Sequence, residues 1–107
     1  MNRGSDMPYY LLQAAYSRDA WAKMKATKDD GICAYAIKPV VERHGGKYHN
    51  GWLAFGEYDS VVIMEMPDNK AAAAVSMELT LQGTVKNVKT TPLVPTEVGK
   101  QALHSIS

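Results

Sequence analysis

The stretch Phe55-Gly56-Glu57-Tyr58-Asp59, followed by the apolar run Ser60 to Met66 and the stop Pro67-Asp68, constrains the fold more than any other part of this chain. A glycine-centred turn between two segments rich in aromatic and β-branched residues predicts a β-hairpin. Pro-Asp at its far end predicts the exit from a strand into a capped helix. If Gly56-Glu57 is a two-residue turn, Phe55 pairs with Tyr58 and every later pair keeps the same sum of residue numbers. One face then carries Tyr48, Asn50, Trp52 and Ala54 with Asp59, Val61, Ile63 and Glu65. The other carries His49, Gly51, Leu53 and Phe55 with Tyr58, Ser60, Val62, Met64 and Met66, and it is the better core against helices.

The remaining elements are spaced around this hairpin. Tyr9 to Tyr16 is apolar on both alternating faces, as expected of a central strand covered on both sides. Ser17 is a candidate N-cap, and Asp19 favours the first turn of a helix running to about Lys28. Asp29-Asp30-Gly31 breaks that helix, after which Cys33, Ile37, Val40, Val41 and His44 form one helical stripe. Pro39 lies inside the stripe and removes the hydrogen bond to the Tyr35 carbonyl, which predicts a kink or a fresh start there. Gly45-Gly46 ends the helix, and a strand runs from Lys47 to Phe55. After the hairpin, Asp68 caps a helix through the alanines at 71–74 to Leu81, stopped by Gly83. Thr84 to Thr91 is β-prone, Pro92 and Pro95 are expected to stop it, and a last short helix covers Glu97 to Leu103.

The order strand, helix pair, strand, strand, helix, strand, with right-handed crossovers, predicts an α+β fold of the ferredoxin-like βαββαβ type. Its four-stranded antiparallel sheet has helices on one face. Strands that are apolar on both faces need cover on the second face as well. The simplest cover is another copy, so a homodimer with sheets packed face to face is expected.

At this point the residues carry a resemblance too. Gly56-Glu57-Tyr58-Asp59, then Val61-Val62-Ile63-Met64-Glu65, then Pro67-Asp68 before an alanine-rich helix, resemble the signature of the GYD domain family. His44-Gly45-Gly46 and the Thr-Pro-Leu-Val-Pro-Thr-Glu tail stand where that family places them. The resemblance spans roughly Tyr9 to Leu103 and implies a dimeric α/β-barrel of ferredoxin-like subunits, with no activity attached. The chain departs from the family pattern between Asp29 and Pro39, where a straight, Arg-bearing helix is usual.

Totals exclude several classes. A chain of 107 residues is the usual length of one domain, taken here as 7–107, with 1–6 as a leader ahead of Met7. Hydrophobic residues at 46% and charged residues at 21% place it among folded chains. With 12 basic and 11 acidic side chains, the net charge of +1 gives no field to gather nucleic acid or a membrane surface. The lone Cys33 cannot form an internal disulfide, and no apolar run is long enough to span a bilayer, so the expected location is the cytoplasm.

Candidate chemistry lies on the outward face of the hairpin. Asp59 and Glu65 are six residues apart on one strand, about 20 Å, too far for a paired acid and base. Glu65 among Tyr48, Asn50 and Trp52 is a candidate general base or an anchor for a polar ligand. The alternative is an ion pair with Lys86 or Lys89 of the last strand, or a place at a wet interface. Asp59 is expected to brace the turn. His49 is a candidate proton carrier, against the alternative of a satisfied histidine beneath the helices. Tyr9, Tyr10, Tyr16, Trp52 and Tyr58 can line a site for a planar ligand, or serve as core and dimer contacts. The candidate catalytic residues are therefore Glu65 and His49, and the candidate ligand contacts Tyr48, Asn50, Trp52 and Tyr10.

No phosphate loop, nucleophile elbow or His-Glu-x-x-His helix is present, and His44 and His49 lack further ligands for a metal. No cofactor is called for. The expected function is binding of a small metabolite between the sheets of the dimer. The alternatives are a cofactor-free oxygenase, isomerase or cyclase with Glu65 or His49 as base, and a structural or regulatory subunit.

Overall fold

The computed structural model describes residues 7–28 and 31–107. The expected leader at 1–6, and Asp29 and Asp30 of the expected break, lie outside the described residues. The elements run β1 (Tyr9–Tyr16), α1 (Arg18–Ala26), α2 (Ile32–Arg43), β2 (Lys47–Leu53), β3 (Ser60–Glu65), α3 (Asn69–Leu81), β4 (Val85–Leu93) and α4 (Thr96–His104). All three pairings are antiparallel and the strand order is β2-β3-β1-β4. The fold is therefore α+β and ferredoxin-like, with the first and third strands in the middle.

Local chemistry accounts for the helix boundaries. The Ser17 hydroxyl accepts from the Ala20 amide at 3.1 Å, and the Asp68 carboxylate accepts from the Ala71 amide at 2.8 Å. Each satisfies a donor that the first turn leaves unpaired. At the end of α2, Gly45 has φ +82°, its N–H donates to the Glu42 carbonyl, and the Gly46 N–H reaches back to Val41, each at 3.0 Å. Gly83, Thr84, Thr80 and Leu79 repeat this closing pattern after α3.

Pro39 does not break α2, which runs as one helix through it. Pro39 and Tyr35 are both exposed, so water can satisfy the Tyr35 carbonyl left without a partner. Pro92 likewise does not stop β4, because β4 is an edge strand and the missing N–H interrupts nothing essential.

The core lies on one face of the sheet. Tyr10, Leu12, Ala14 and Tyr16 of β1, Val62 and Met64 of β3, and Val85 of β4 pack against Met24 of α1, Ile37, Val40 and Val41 of α2, and Val75 and Leu79 of α3. The opposite face carries Leu11 and Gln13, Val61 and Ile63, and the β4 residues paired with that row of β1, Lys89, Thr91 and Leu93. Among the described residues no helix packs on it; we call it the open face.

The hairpin departs from expectation at both ends. Its register holds from Asn50 opposite Ile63 to Leu53 opposite Ser60, and the Ala54 N–H donates to the Asp59 carbonyl at 2.7 Å. Beyond that pair the turn opens, so Phe55 is fully exposed and belongs to no core. At the other end a β-bulge between Tyr48 and Asn50 shifts the pairing, so that Tyr48 faces Met64 and Lys47 faces Glu65. An inserted residue turns over every side chain before it. Tyr48 therefore lies on the helix side, and His49 lies on the open face, the reverse of the expected assignment.

Candidate functional site

Glu65 ends β3 on the open face, with Lys47 of β2 on one side and Tyr9 of β1 on the other. Its residue is 1% exposed, yet it carries a carboxylate. One oxygen, Oε2, meets Nε2 of His49 in a short contact, while Oε1, shut off from solvent, has no hydrogen-bond partner among the described residues. The alternative of an ion pair with Lys86 or Lys89 is not what the described residues show. Lys89 stands opposite Gln13, four residues along β1 from the Tyr9 that neighbours Glu65.

His49 is not a satisfied histidine beneath the helices. Its side chain is 39% exposed, and the Tyr9 ring stacks on the imidazole at a centroid distance of 5.3 Å and an angle of 23°. The bulge is what brings it here: an extra residue in an edge strand re-aims a side chain without disturbing the central strands. Asn50 and Trp52, opposite Ile63 and Val61, share the face, and Trp52 is 53% exposed. The Asn50 side chain accepts from the Gly51 amide at 2.8 Å, which stiffens the strand just after the bulge.

The structure thus divides the six candidate residues. Glu65, His49, Asn50 and Trp52 share the open face, with Tyr9 added to them. Tyr10 and Tyr48 do not: Tyr10 is buried in the core with its hydroxyl donating to Asn69 Oδ1 at 2.5 Å, and Tyr48 packs beneath α2. There the Tyr48 hydroxyl fills the space over Gly51 beside Cys33, so that a Cβ at Gly51 would lie 2.9 Å from the Cys33 Cβ and overlap the hydroxyl. Burial pushes the Tyr48 phenol up to about 12, with the nearby Cys33 thiol adding to the rise. Burial also raises the Tyr16 phenol, an effect partly offset by the Ser60 hydroxyl, and raises the Cys33 thiol. A thiol held protonated in this way is a poor nucleophile.

The other polar candidates serve structure. Asp59 reaches past its own turn: its carboxylate accepts from the Tyr16 amide at 2.9 Å, and its N–H donates to the Ala14 carbonyl at 2.8 Å, fastening the end of β1. His44 lies on the helix side, where Nε2 meets Glu78 Oε1 at 2.7 Å, and Arg43 pairs with the other oxygen of the same carboxylate. Hydrogen bonding first from Arg43 and then from His44 holds the Glu78 carboxyl below its ordinary range. Among the described residues no group of three or more His, Cys, Asp and Glu side chains is placed to hold a metal ion.

The helix side carries several cavities, among them an open hollow of about 360 Å³ along α2 at Tyr35, Lys38 and Glu42. One of about 340 Å³ lies between α1, α2 and the turn after α3, lined by Asp19, Lys23, Met24, Tyr35 and Gln82. Another of about 270 Å³ lies between the start of α2 and β2, lined by Cys33, Tyr48 and Leu53 among others. Neither of these two is lined by a histidine beside a carboxylate.

The chemistry available on the open face follows from the His49–Glu65 contact. An ionised carboxylate can only accept, so Nε2 keeps a hydrogen, and in the neutral ring the other nitrogen, Nδ1, is left with its lone pair. A buried carboxylate fixes the tautomer and orientation of an accessible imidazole, so that its second nitrogen is presented on the open face. Sequence reasoning could find both residues but not their pairing. The signal for a bulge beside Gly51 is weak, and a one-residue slip leaves no mark in Lys47-Tyr48-His49-Asn50, where every position is polar or aromatic.

No curated protein matches the sequence. The fold is similar to that of the C-terminal domain of the MgtC protein from Mycobacterium tuberculosis, at 12% identity and TM-score 0.57 over 87% of this chain and 94% of that one. It is also similar to 30S ribosomal protein S6 from Thermotoga maritima, at 11% identity and TM-score 0.58 over 95% of this chain and all of that one. A hypothetical protein from Pyrococcus horikoshii matches at 11% identity and TM-score 0.53 over 83% of this chain and 92% of that one. At such identities the likeness is one of fold alone. The GYD domain model matches residues 10–103, nearly the whole chain, and the protein belongs to the GYD domain family.

Proposed function

We propose that this protein is a cytoplasmic homodimer that binds a small, partly aromatic or polar metabolite between the open faces of its two sheets, against His49, Trp52 and Asn50. The observation that carries this reading is a reachable histidine held by a 1% exposed carboxylate on a sheet face that no helix covers. Burying a charge is costly, and a fold that needed only a stable surface would place an apolar residue at that point. Leu11, Ile63 and Leu93 around it supply apolar walls once a second copy closes the face. Among the described residues no helix is long and apolar enough to cross a membrane.

A second reading draws on the same pair. His49 with its tautomer set by Glu65 is a general base, which fits a cofactor-free oxygenase, isomerase or cyclase acting by abstraction of a proton from a bound ligand. In either reading His49 makes the contact and Glu65 is the positioning residue, since only His49 is accessible.

The test is a screen of a metabolite library by ligand-observed NMR against the full chain and against Trp52→Ala. Ligands that bind the first and not the second are expected. A library that yields none, together with a monomer by sedimentation equilibrium at micromolar concentration, would overturn the proposal.

A further inference from the structure

We infer that the ligand read by this face is a planar, uncharged hydrogen-bond donor, presenting an O–H or N–H to Nδ1 of His49, and that anionic ligands are refused. The inference rests on the binding proposal above and names the class of ligand that the site accepts.

Three observations carry it. First, Glu65 Oε2 occupies Nε2 of His49, and no described residue occupies Nδ1, so in the neutral ring, the form to which this inference applies, the free ring nitrogen is an acceptor. An acceptor selects a donor. Second, the wall beside the His49 ring is flat, and a second flat ring stands on the same face. Tyr9 covers one face of the imidazole in a stacked arrangement, and the half-exposed Trp52 indole stands farther along β2 on the same side of the sheet. Ring faces of this kind favour planar ligands in offset stacks.

Third, the charge beneath the site is negative and shielded from water. The carboxylate of Glu65 is buried, so its field on a neighbouring ligand is screened far less than that of a surface acid. The other titratable groups facing it are Tyr9 of β1 and Lys47 of β2. Lys47 is exposed, which leaves its ammonium solvated and a weak counterweight. A carboxylate or phosphate on the ligand would therefore meet an unfavourable field and a nitrogen with no hydrogen to offer.

The test uses the full chain with three small aromatic probes, phenol, toluene and benzoate, followed by ¹⁵N and ¹H resonances of the His49 ring and the Trp52 indole. The long-range spectrum of neutral His49 is expected to be that of the Nε2–H tautomer. Phenol is expected to bind about 3- to 10-fold more tightly than toluene, the worth of one net hydrogen bond, with benzoate weakest. In His49→Phe, which keeps the ring and removes Nδ1, phenol and toluene are expected to bind equally. A neutral Nδ1–H tautomer, or toluene or benzoate binding as tightly as phenol to the native chain, would overturn the inference while leaving metabolite binding intact. No shift at His49 or Trp52 with any probe would count against both.

Discussion

His49 shows how much can turn on one position. Counted from the hairpin turn it belongs with the core-facing residues, and the bulge places it against Glu65 instead. Removing it leaves a buried carboxylate with neither oxygen bonded. His49→Ala is expected to lower stability by about 1–3 kcal/mol, read as a fall in the urea midpoint at neutral pH; an unchanged midpoint would mean the pair contributes nothing to folding. Titration adds two expectations at this scale. The Tyr16 and Tyr48 phenols are both raised by burial, so the folded chain holds protons that the unfolded chain releases near pH 10. Their stabilisation is intact below that pH and is lost as pH rises through their folded values. Tyrosine absorbance should accordingly show a fraction of the phenols ionising only together with unfolding. Glu78 runs the other way. Its carboxyl is lowered by Arg43 and His44, so its contribution is present above the ordinary carboxylate range and lost as pH falls through its folded value. Glu78→Gln should flatten that acid limb of a stability profile and leave the alkaline limb alone.

Among the elements, those bounded by local chemistry were legible in the sequence. Ser17, Asp68, Gly45 and Gly83 each act within three or four residues of themselves, and the expected helix ends fall within a residue or two of the observed ones. The two prolines misled because their effect depends on what surrounds them, water beside Pro39 and a free sheet edge beside Pro92. Pro39→Ala restores the donor to the Tyr35 carbonyl and is expected to raise the thermal midpoint by a few degrees. A drop would mean that Pro39 makes a contact of its own. The turn from α2 into β2 ties an element to the site. A Cβ at Gly46 would overlap the Met66 sulfur, a side-chain atom, and lie 2.5 Å from the Glu65 carbonyl oxygen, on the backbone of the candidate site itself. Gly46→Ala is expected to cost about 1–3 kcal/mol and to shift the His49 ring resonances, whereas a purely local disturbance would leave those resonances in place.

For the molecule as a whole, the open face sets the main expectation. Its row of Leu11, Ile63 and Leu93, flanked by Trp52, is suited to a second copy, and the proposed dimer would bury it. Ile63→Lys should convert a dimer to monomers in sedimentation equilibrium and shift the Trp52 fluorescence to the red, with the helix-side core untouched. The ferredoxin-like topology itself was legible, because two crossovers of fixed hand leave few ways to arrange four strands and the helices between them. The amino-acid order by itself determined the elements, the topology and which face meets the helices, since those follow from periodicity, caps and turn residues acting over short spans. Only the tertiary structure decided that His49, rather than Tyr48, stands over Glu65. A bulge is a property of two paired strands, and a pairing shifted by one residue costs little in local propensity while it exchanges the two faces completely.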